Sequence, residues 1–290
     1  MAMRSGSIGR GWELTKESWA VVRGDRSLLA FPVIAAACAI VAGAVLFGAG
    51  AAIGTSVNSL WAAVPFIVAG VYVIIVIGQF CAVALAACAL ESLGGRDTKL
   101  ADGIAAARGR TRVILAWAGV MLVVGAAITA LQLLLRDAAG SLVSNLLGTA
   151  ANLAWSVVTF FVVPVLAFEG LGPREALKRS VHIVRERWGE GVTGTAAIGA
   201  AVFVAGILPG GVILGAGIAL TASSAVLGGA LIAVGVLVIV VAGLLQTTLS
   251  AVFRVALYRF ATQGEALGRF TPEQLDGAFR PRRGAFARRG

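Results

Sequence analysis

Residues 61–90 read WAAVPFIVAGVYVIIVIGQFCAVALAACAL, a stretch without a charged side chain, and the first charge, Glu91, follows it directly. A hydrocarbon core about 30 Å thick needs roughly 20 apolar residues in helical conformation. A soluble helix of this length would carry a polar face. Here Gln79 interrupts an otherwise apolar run, so the stretch reads as a membrane span.

Five further runs meet the same requirement: 29–53, 113–135, 142–168, 192–220 and 225–253. The run 192–220 contains Leu208-Pro209-Gly210-Gly211, where a proline that cannot donate a backbone hydrogen bond kinks the helix or ends its first part. Across 290 residues, 59% are hydrophobic and 13% charged, against roughly a quarter charged in soluble domains. The fold class is all-α, a polytopic membrane helical bundle of six transmembrane helices. The run at 29–53 is no signal peptide, because a 28-residue polar segment bearing Glu13, Glu17 and Asp25 precedes it. The expected organisation is a cytoplasmic amphipathic segment at 1–28, a six-span domain at 29–262 and a basic cytoplasmic tail at 263–290.

Charge sets the orientation. Segments 1–28, 91–112, 169–191 and the end from Arg254 onward hold 23 of the 24 basic residues, and Arg136 is the exception. Basic residues accumulate on the cytoplasmic side of membrane proteins, so both termini are expected there and the number of spans is even. The net charge of +10 would point a soluble protein towards nucleic acid. Here topology accounts for it, and no nucleic-acid partner is expected. The bias to Arg, Ala, Gly and Val fits a GC-rich bacterial genome and hence a bacterial plasma membrane.

The chain also reads as three hairpin repeats, each introduced by a basic amphipathic helix. Glu91-Ser92-Leu93-Gly94-Gly95-Arg96-Asp97 matches Glu169-Gly170-Leu171-Gly172-Pro173-Arg174-Glu175. Each is followed by apolar residues at helical spacing: Leu100, Ile104, Ala107 and Thr111 in one, Leu177, Val181, Val184 and Trp188 in the other. Trp12, Trp19 and Val22 form the N-terminal counterpart. Such helices lie in the headgroup plane, with Trp12, Trp19 and Trp188 as interface anchors.

Residues that could carry chemistry are few. The spans hold uncharged polar groups, among them Gln79, Gln132, Asn152 and Gln246, which read as interhelical hydrogen-bonding groups or as the lining of a cavity. Glu91 and Glu169 end the second and fourth spans, Arg254 and Arg259 the sixth. Unpaired charges near hydrocarbon are costly, so an inner polar cluster pairing Glu91 or Glu169 with Arg254 is expected. Cys38, Cys81 and Cys88 all lie in apolar runs and read as small buried hydrophobes. A lone histidine, His182, makes no zinc site. No P-loop pattern and no nucleophile–base pair is present, so neither cofactor, metal nor enzymatic activity is expected. Gly50-x-x-x-Gly54, Gly206-x-x-x-Gly210 and Gly211-x-x-x-Gly215 fit close helix packing, and leave a homo-oligomer open. Thr271-Pro272-Glu273-Gln274 opens a short tail helix, and the arginines after it, from Arg280 to Arg289, can bind anionic lipid.

The run Gly9-Arg10-Gly11-Trp12, Ser18-Trp19, Val22-Arg23, Asp25-Arg26-Ser27-Leu28-Leu29 and Phe31-Pro32 resembles the signature of a prokaryotic six-helix integral membrane protein family of unknown function. The stretch from Phe253 to Thr262 and Gly277-Ala278-Phe279-Arg280-Pro281 resembles that family's end. The resemblance implies six helices and no assigned chemistry. The three-hairpin plan is also similar to membrane domains attached to glycerophosphodiester phosphodiesterases, without their catalytic barrel, so no activity carries over. The function expected is that of a non-enzymatic scaffold or accessory bundle. The alternative is a small-molecule or lipid permease with a cavity between hairpins.

Overall fold

The structure, a computed structural model, describes residues 7–25, 27–187, 193–265 and 267, and among them it is helical without strands. The helices are α1 (Ser7–Gly24), α2 (Ser27–Ser56), α3 (Leu60–Leu93), α4 (Leu100–Gly109), α5 (Thr111–Val158), α6 (Val162–Phe168), α7 (Pro173–Arg187), α8 (Thr193–Val202), α9 (Leu208–Leu220) and α10 (Ala225–Gln263). Six helical stretches are long and apolar enough to cross a membrane: Ser27–Ser56, Leu60–Leu93, Thr111–Ala138, Gly140–Phe168, Ile198–Leu220 and Ala225–Gln263. These overlie the six runs expected from the sequence, and the molecule is a multi-pass membrane protein. The chain forms two units, one of Met1–Leu29, Ala89–Asp97 and Glu186–Gly290, the other of Ala30–Cys88 and Thr98–Arg185.

In the second unit α2 and α3 run antiparallel, and small residues let them approach. A β-carbon at Gly50 would come within 2.9 Å of the Phe66 β-carbon, and one at Gly54 within 3.4 Å of Ala63. The Phe47 ring occupies the space that Gly70 leaves. Tyr72 Oη donates to the Leu115 carbonyl at 3.1 Å and joins α3 to α5. The helix α5 doubles back at Gly140, whose φ of 83° and ψ of 167° suit glycine alone. Across this turn Ser144 Oγ donates to the Gln132 carbonyl at 2.6 Å, and the Trp117 and Trp155 rings stack with centroids 5.9 Å apart. Gly140→Ala should therefore cost about 1–2 kcal/mol through backbone strain. Nothing crowds that position. Thermal unfolding in mild detergent reads the loss, with Gly125→Ala, an equally open helical position, as the neutral control.

Two spans are broken, each for a reason that lies in a proline. Pro209 sits in the first turn of α9 and cannot donate to the carbonyl four residues back, at Ala205. The chain passes through a π-helical turn at Phe203–Ile207 to absorb this, as the Leu208-Pro209-Gly210-Gly211 motif led one to expect. The other break, at 159–161 within the run 142–168, was not anticipated. Pro164 stands in the first turn of α6, where proline is tolerated; placed in a continuous helix it would clash with the Phe160 carbonyl.

In the first unit α9 and α10 form an antiparallel pair, and α1 packs on α8 and α10. Runs of buried side chains lie at the ends of the long helices that adjoin basic segments, at Val83–Ala86, Phe160–Val162 and Leu249–Leu257. At the opposite ends Leu60, Trp61 and Val226 are each more than four-fifths exposed. A bilayer solvates those apolar surfaces, which water would not.

Candidate functional site

At the end of α1 the first unit gathers polar groups. Asp25 is almost fully buried. Its Oδ1 accepts from the Ser27 backbone N–H at 3.0 Å and the Ser27 hydroxyl at 2.6 Å. Its Oδ2 accepts from Ser92 Oγ at 2.6 Å. The first of these satisfies a backbone donor that the start of α2 leaves open, and the charge sits at the positive end of that helix. The bond to Ser92 ties this junction to the last turn of α3.

The chain then reverses. Gly95 takes φ +78° and the Arg96 N–H donates to the Glu91 carbonyl at 3.1 Å, a helix stop that needs glycine. The reversal carries the Arg96 guanidinium to 2.8 Å from Glu91 Oε2. Between these elements lies a cleft of about 290 Å³. Asp25, Ser92, Arg96 and Asp97 give it polar walls, and Val21 and Leu93 are among its apolar ones.

The second unit has a related junction at the end of α6. Gly170 turns at φ +64°, and Glu169 Oε1 lies 3.2 Å from Arg179 Nε. The matching motifs thus use their glutamates differently. Glu91 meets the motif's own Arg96, whereas Glu169 meets Arg179, because Pro173 starts α7 at once and leaves Arg174 exposed on its first turn. Arg110 donates to the Phe168 carbonyl at 3.4 Å and so serves the end of α6.

Ser180 spans the break at 159–161. Its hydroxyl donates to the Val158 carbonyl at 2.7 Å and accepts from the Phe161 N–H at 3.2 Å. Backbone groups freed within a membrane helix must find partners in this way. Ser180→Ala removes both of these bonds and should cost about 1–3 kcal/mol. Equilibrium unfolding in bicelles measures it, and a loss below a few tenths would mean the break needs no splice.

The remaining expected residues are placed as follows. Arg254 stands on α10 among the buried Val252, Phe253, Val255 and Ala256, and the Arg259 guanidinium donates to Gln263 Oε1. Gln132 lies against Gly148, to whose carbonyl Asn152 Nδ2 donates at 2.9 Å, so both amides adjoin that glycine. Gln246 reaches towards Gly199, in the other unit. The Gln79 Oε1 is buried without a hydrogen-bond partner. Trp19 is 39% exposed; Trp12 lies on α1, while Trp188 and the tail from 268 lie outside the described residues. Cys88 is buried, Cys81 half-buried and Cys38 exposed, so only Cys88 is the buried hydrophobe expected of all three. Among the described residues no group of three or more His, Cys, Asp or Glu could hold a metal.

Sequence reasoning did not single out Ser92, Arg110, Arg179 or Ser180 as site residues. Asp25 entered as a charge of the N-terminal polar segment and, with Ser27, through the N-terminal resemblance, and the signal available was a Ser/Asp cluster at a helix start.

A family model described as "Family of unknown function (DUF6159)" matches residues 63–268. No curated protein and no solved structure matches.

Proposed function

The chain belongs to this family of unknown function, and from that premise we propose that it is a non-enzymatic scaffold or accessory bundle of a bacterial plasma membrane. In this reading both termini are cytoplasmic, the basic face meets anionic lipid, and copies can associate through lipid-facing helices. The segment 1–28 is the amphipathic entry, 29–262 the membrane domain and 263–290 the basic tail. The prokaryotic terminal signatures belong to the same reading.

The observation that carries it is where polar side chains in the long helices spend their hydrogen bonds. Thr129, Thr247 and Thr248 donate to carbonyls four residues back in their own helices. Asn152 does the same onto Gly148. A permease lining would turn such groups towards a shared aqueous path; here these four return to their own helices, while Tyr72 and Ser144 tie one helical segment to another.

Three hairpin repeats, each led by an amphipathic helix, form part of the proposal. Support comes from a recurrent small residue buried on those leading helices. Ser18 and Gly103 each stand six residues before the glycine that closes α1 or α4, Gly24 and Gly109, and Ser180 is a buried small residue of α7 beside Ala176. A β-carbon at Gly103 would meet Phe31 at 2.6 Å and Cys88 at 2.8 Å. The buried stripe of α7 is Ala176, Ser180 and Ile183, one residue ahead of the Leu177, Val181, Val184 stripe read from sequence.

Reconstitution into liposomes tests the reading. Efflux of entrapped small anions, cations and neutral dyes should match protein-free vesicles. A protein-dependent flux several-fold above that background would replace the scaffold with a permease. Cysteines introduced at Lys99 and Lys178, in a chain otherwise free of cysteine, should react with an impermeant maleimide only from the cytoplasmic side, and one at Arg136 only from the outside.

A further inference from the structure

The cleft between the end of α1 and the end of α3 has an unusual wall for a surface at the basic end of the molecule. It presents two carboxylates, Asp25 and Asp97, beside one guanidinium, Arg96, over the apolar Val21 and Leu93. A site for a simple anion would be wholly basic, and a site for an apolar ligand would lack the charges. Opposite charges sharing one small cleft match a ligand that carries both signs.

Size narrows the class further. About 290 Å³ lies at the lower edge of small-molecule sites, which run from about 300 to 1,000 Å³. It holds a headgroup rather than a whole metabolite of cofactor size. The side chain of Arg96 is 75% exposed although it bridges Glu91, so four of its five donors remain available to an entering phosphate. Asp25 is engaged by Ser27 and Ser92 and acts through its charge, whereas the exposed Asp97 is the direct acceptor.

We propose that this cleft binds a phosphoethanolamine group, its ammonium on Asp97 with Asp25 behind it and its phosphate on Arg96. An aminophospholipid in the adjoining leaflet and free phosphoethanolamine share that chemistry. The lipid source rests on the membrane reading above, because the cleft adjoins the ends of two spanning helices, where headgroups lie.

Native mass spectrometry of the full chain in mild detergent, with equal amounts of phosphatidylethanolamine, phosphatidylcholine and phosphatidylglycerol, tests the proposal. Phosphatidylethanolamine should be retained about tenfold over phosphatidylcholine, whose quaternary nitrogen has no N–H to donate, and over phosphatidylglycerol, which has no cation. Asp97→Asn and Arg96→Gln should each reduce that retention about tenfold. Both sites are exposed, so the variants should elute and melt like the parent, and Lys178→Gln should retain lipid unchanged. Equal retention of the three lipids, or retention indifferent to Asp97→Asn and Arg96→Gln, overturns the proposal.

Free phosphoethanolamine added as competitor separates the two sources. Displacement of the lipid at comparable concentration identifies the soluble group as a sufficient ligand; resistance to it assigns the site to the membrane lipid. Maleimide labelling of Arg23→Cys in intact cells reads the membrane orientation separately. Labelling from outside would overturn the topology while the lipid preference, measured in detergent, still decides the cleft.

Discussion

Gly235→Val should cost about 3 kcal/mol or more and force α9 away from α10. A β-carbon at Gly235 would stand 2.6 Å from the Leu214 nitrogen, 2.8 Å from its α-carbon and 2.9 Å from the Gly210 carbonyl oxygen. All three are backbone atoms, so no side chain can rotate aside and one helix must move. The crossing is reciprocal. Gly217 would meet the Ile232 nitrogen at 2.7 Å, and Gly228 the Thr221 nitrogen at 2.7 Å. In each helix the two glycines are seven residues apart, two helical turns, so they share a face. Between membrane helices the attraction is chiefly van der Waals packing along such a seam, and a shift near 1 Å forfeits much of it. Gly229→Val is the control, since nothing lies within 4 Å of a β-carbon there. Unfolding of the purified chain in bicelles compares them, and equal midpoints for the two variants would mean that the seam does not hold the pair.

This crossing also marks where the sequence could be read and where it could not. Six helices followed from run length alone, since 61–90 and its counterparts are too long and too apolar for water. The glycine patterns were less informative. Gly50 and Gly54 do face α3, at Phe66 and Ala63, and Gly206 and Gly210 face α10, at Ala242 and Ile239, yet Gly211 and Gly215 look into open space and the seam continues at Gly217 instead. With 38 glycines, four-residue spacings recur by chance, and contact depends on helix rotation, which spacing does not encode. The same ignorance of rotation shifted the buried stripe of α7 by one residue.

The candidate site was less legible than the fold. Charged residues near the spans drew attention to Glu91 and Glu169, and the structure gives these carboxylates Arg96 and Arg179 as partners. One partner is five residues away and the other ten, set by where a glycine turn or a proline starts the next element. Pro164 carried a signal for the break at 159–161, but the hydroxyl that repairs it comes from Ser180 in another helix. A residue that serves a distant backbone has no local pattern to betray it. Asp25 belongs to the same class, because its partner Ser92 is 67 positions away.

Asp25→Ala should lower stability by about 3 kcal/mol. The substitution removes the acceptor from the Ser27 N–H and hydroxyl and from the Ser92 hydroxyl, in a place water reaches poorly. Hydrogen bonds to a charged group contribute about 1.5–3 kcal/mol each, and an orphaned buried donor carries its full desolvation cost. Asp25→Asn separates the contributions. Its amide oxygen can still cap Ser27, and its NH₂ can donate to Ser92 once that hydroxyl rotates, so roughly half the loss should return. Pairing Asp25→Ala with Ser92→Ala should show a coupling of about 1–2 kcal/mol, since each mutation removes the same bond. The loss should be local as well as global. With the junction between α1 and α2 untied, trypsin should cut after Arg23 well before the long helices unfold. If Asp25→Asn proved as damaging as Asp25→Ala and the coupling with Ser92 vanished, the junction would depend on the negative charge beside the start of α2 and not on the hydrogen bond to α3.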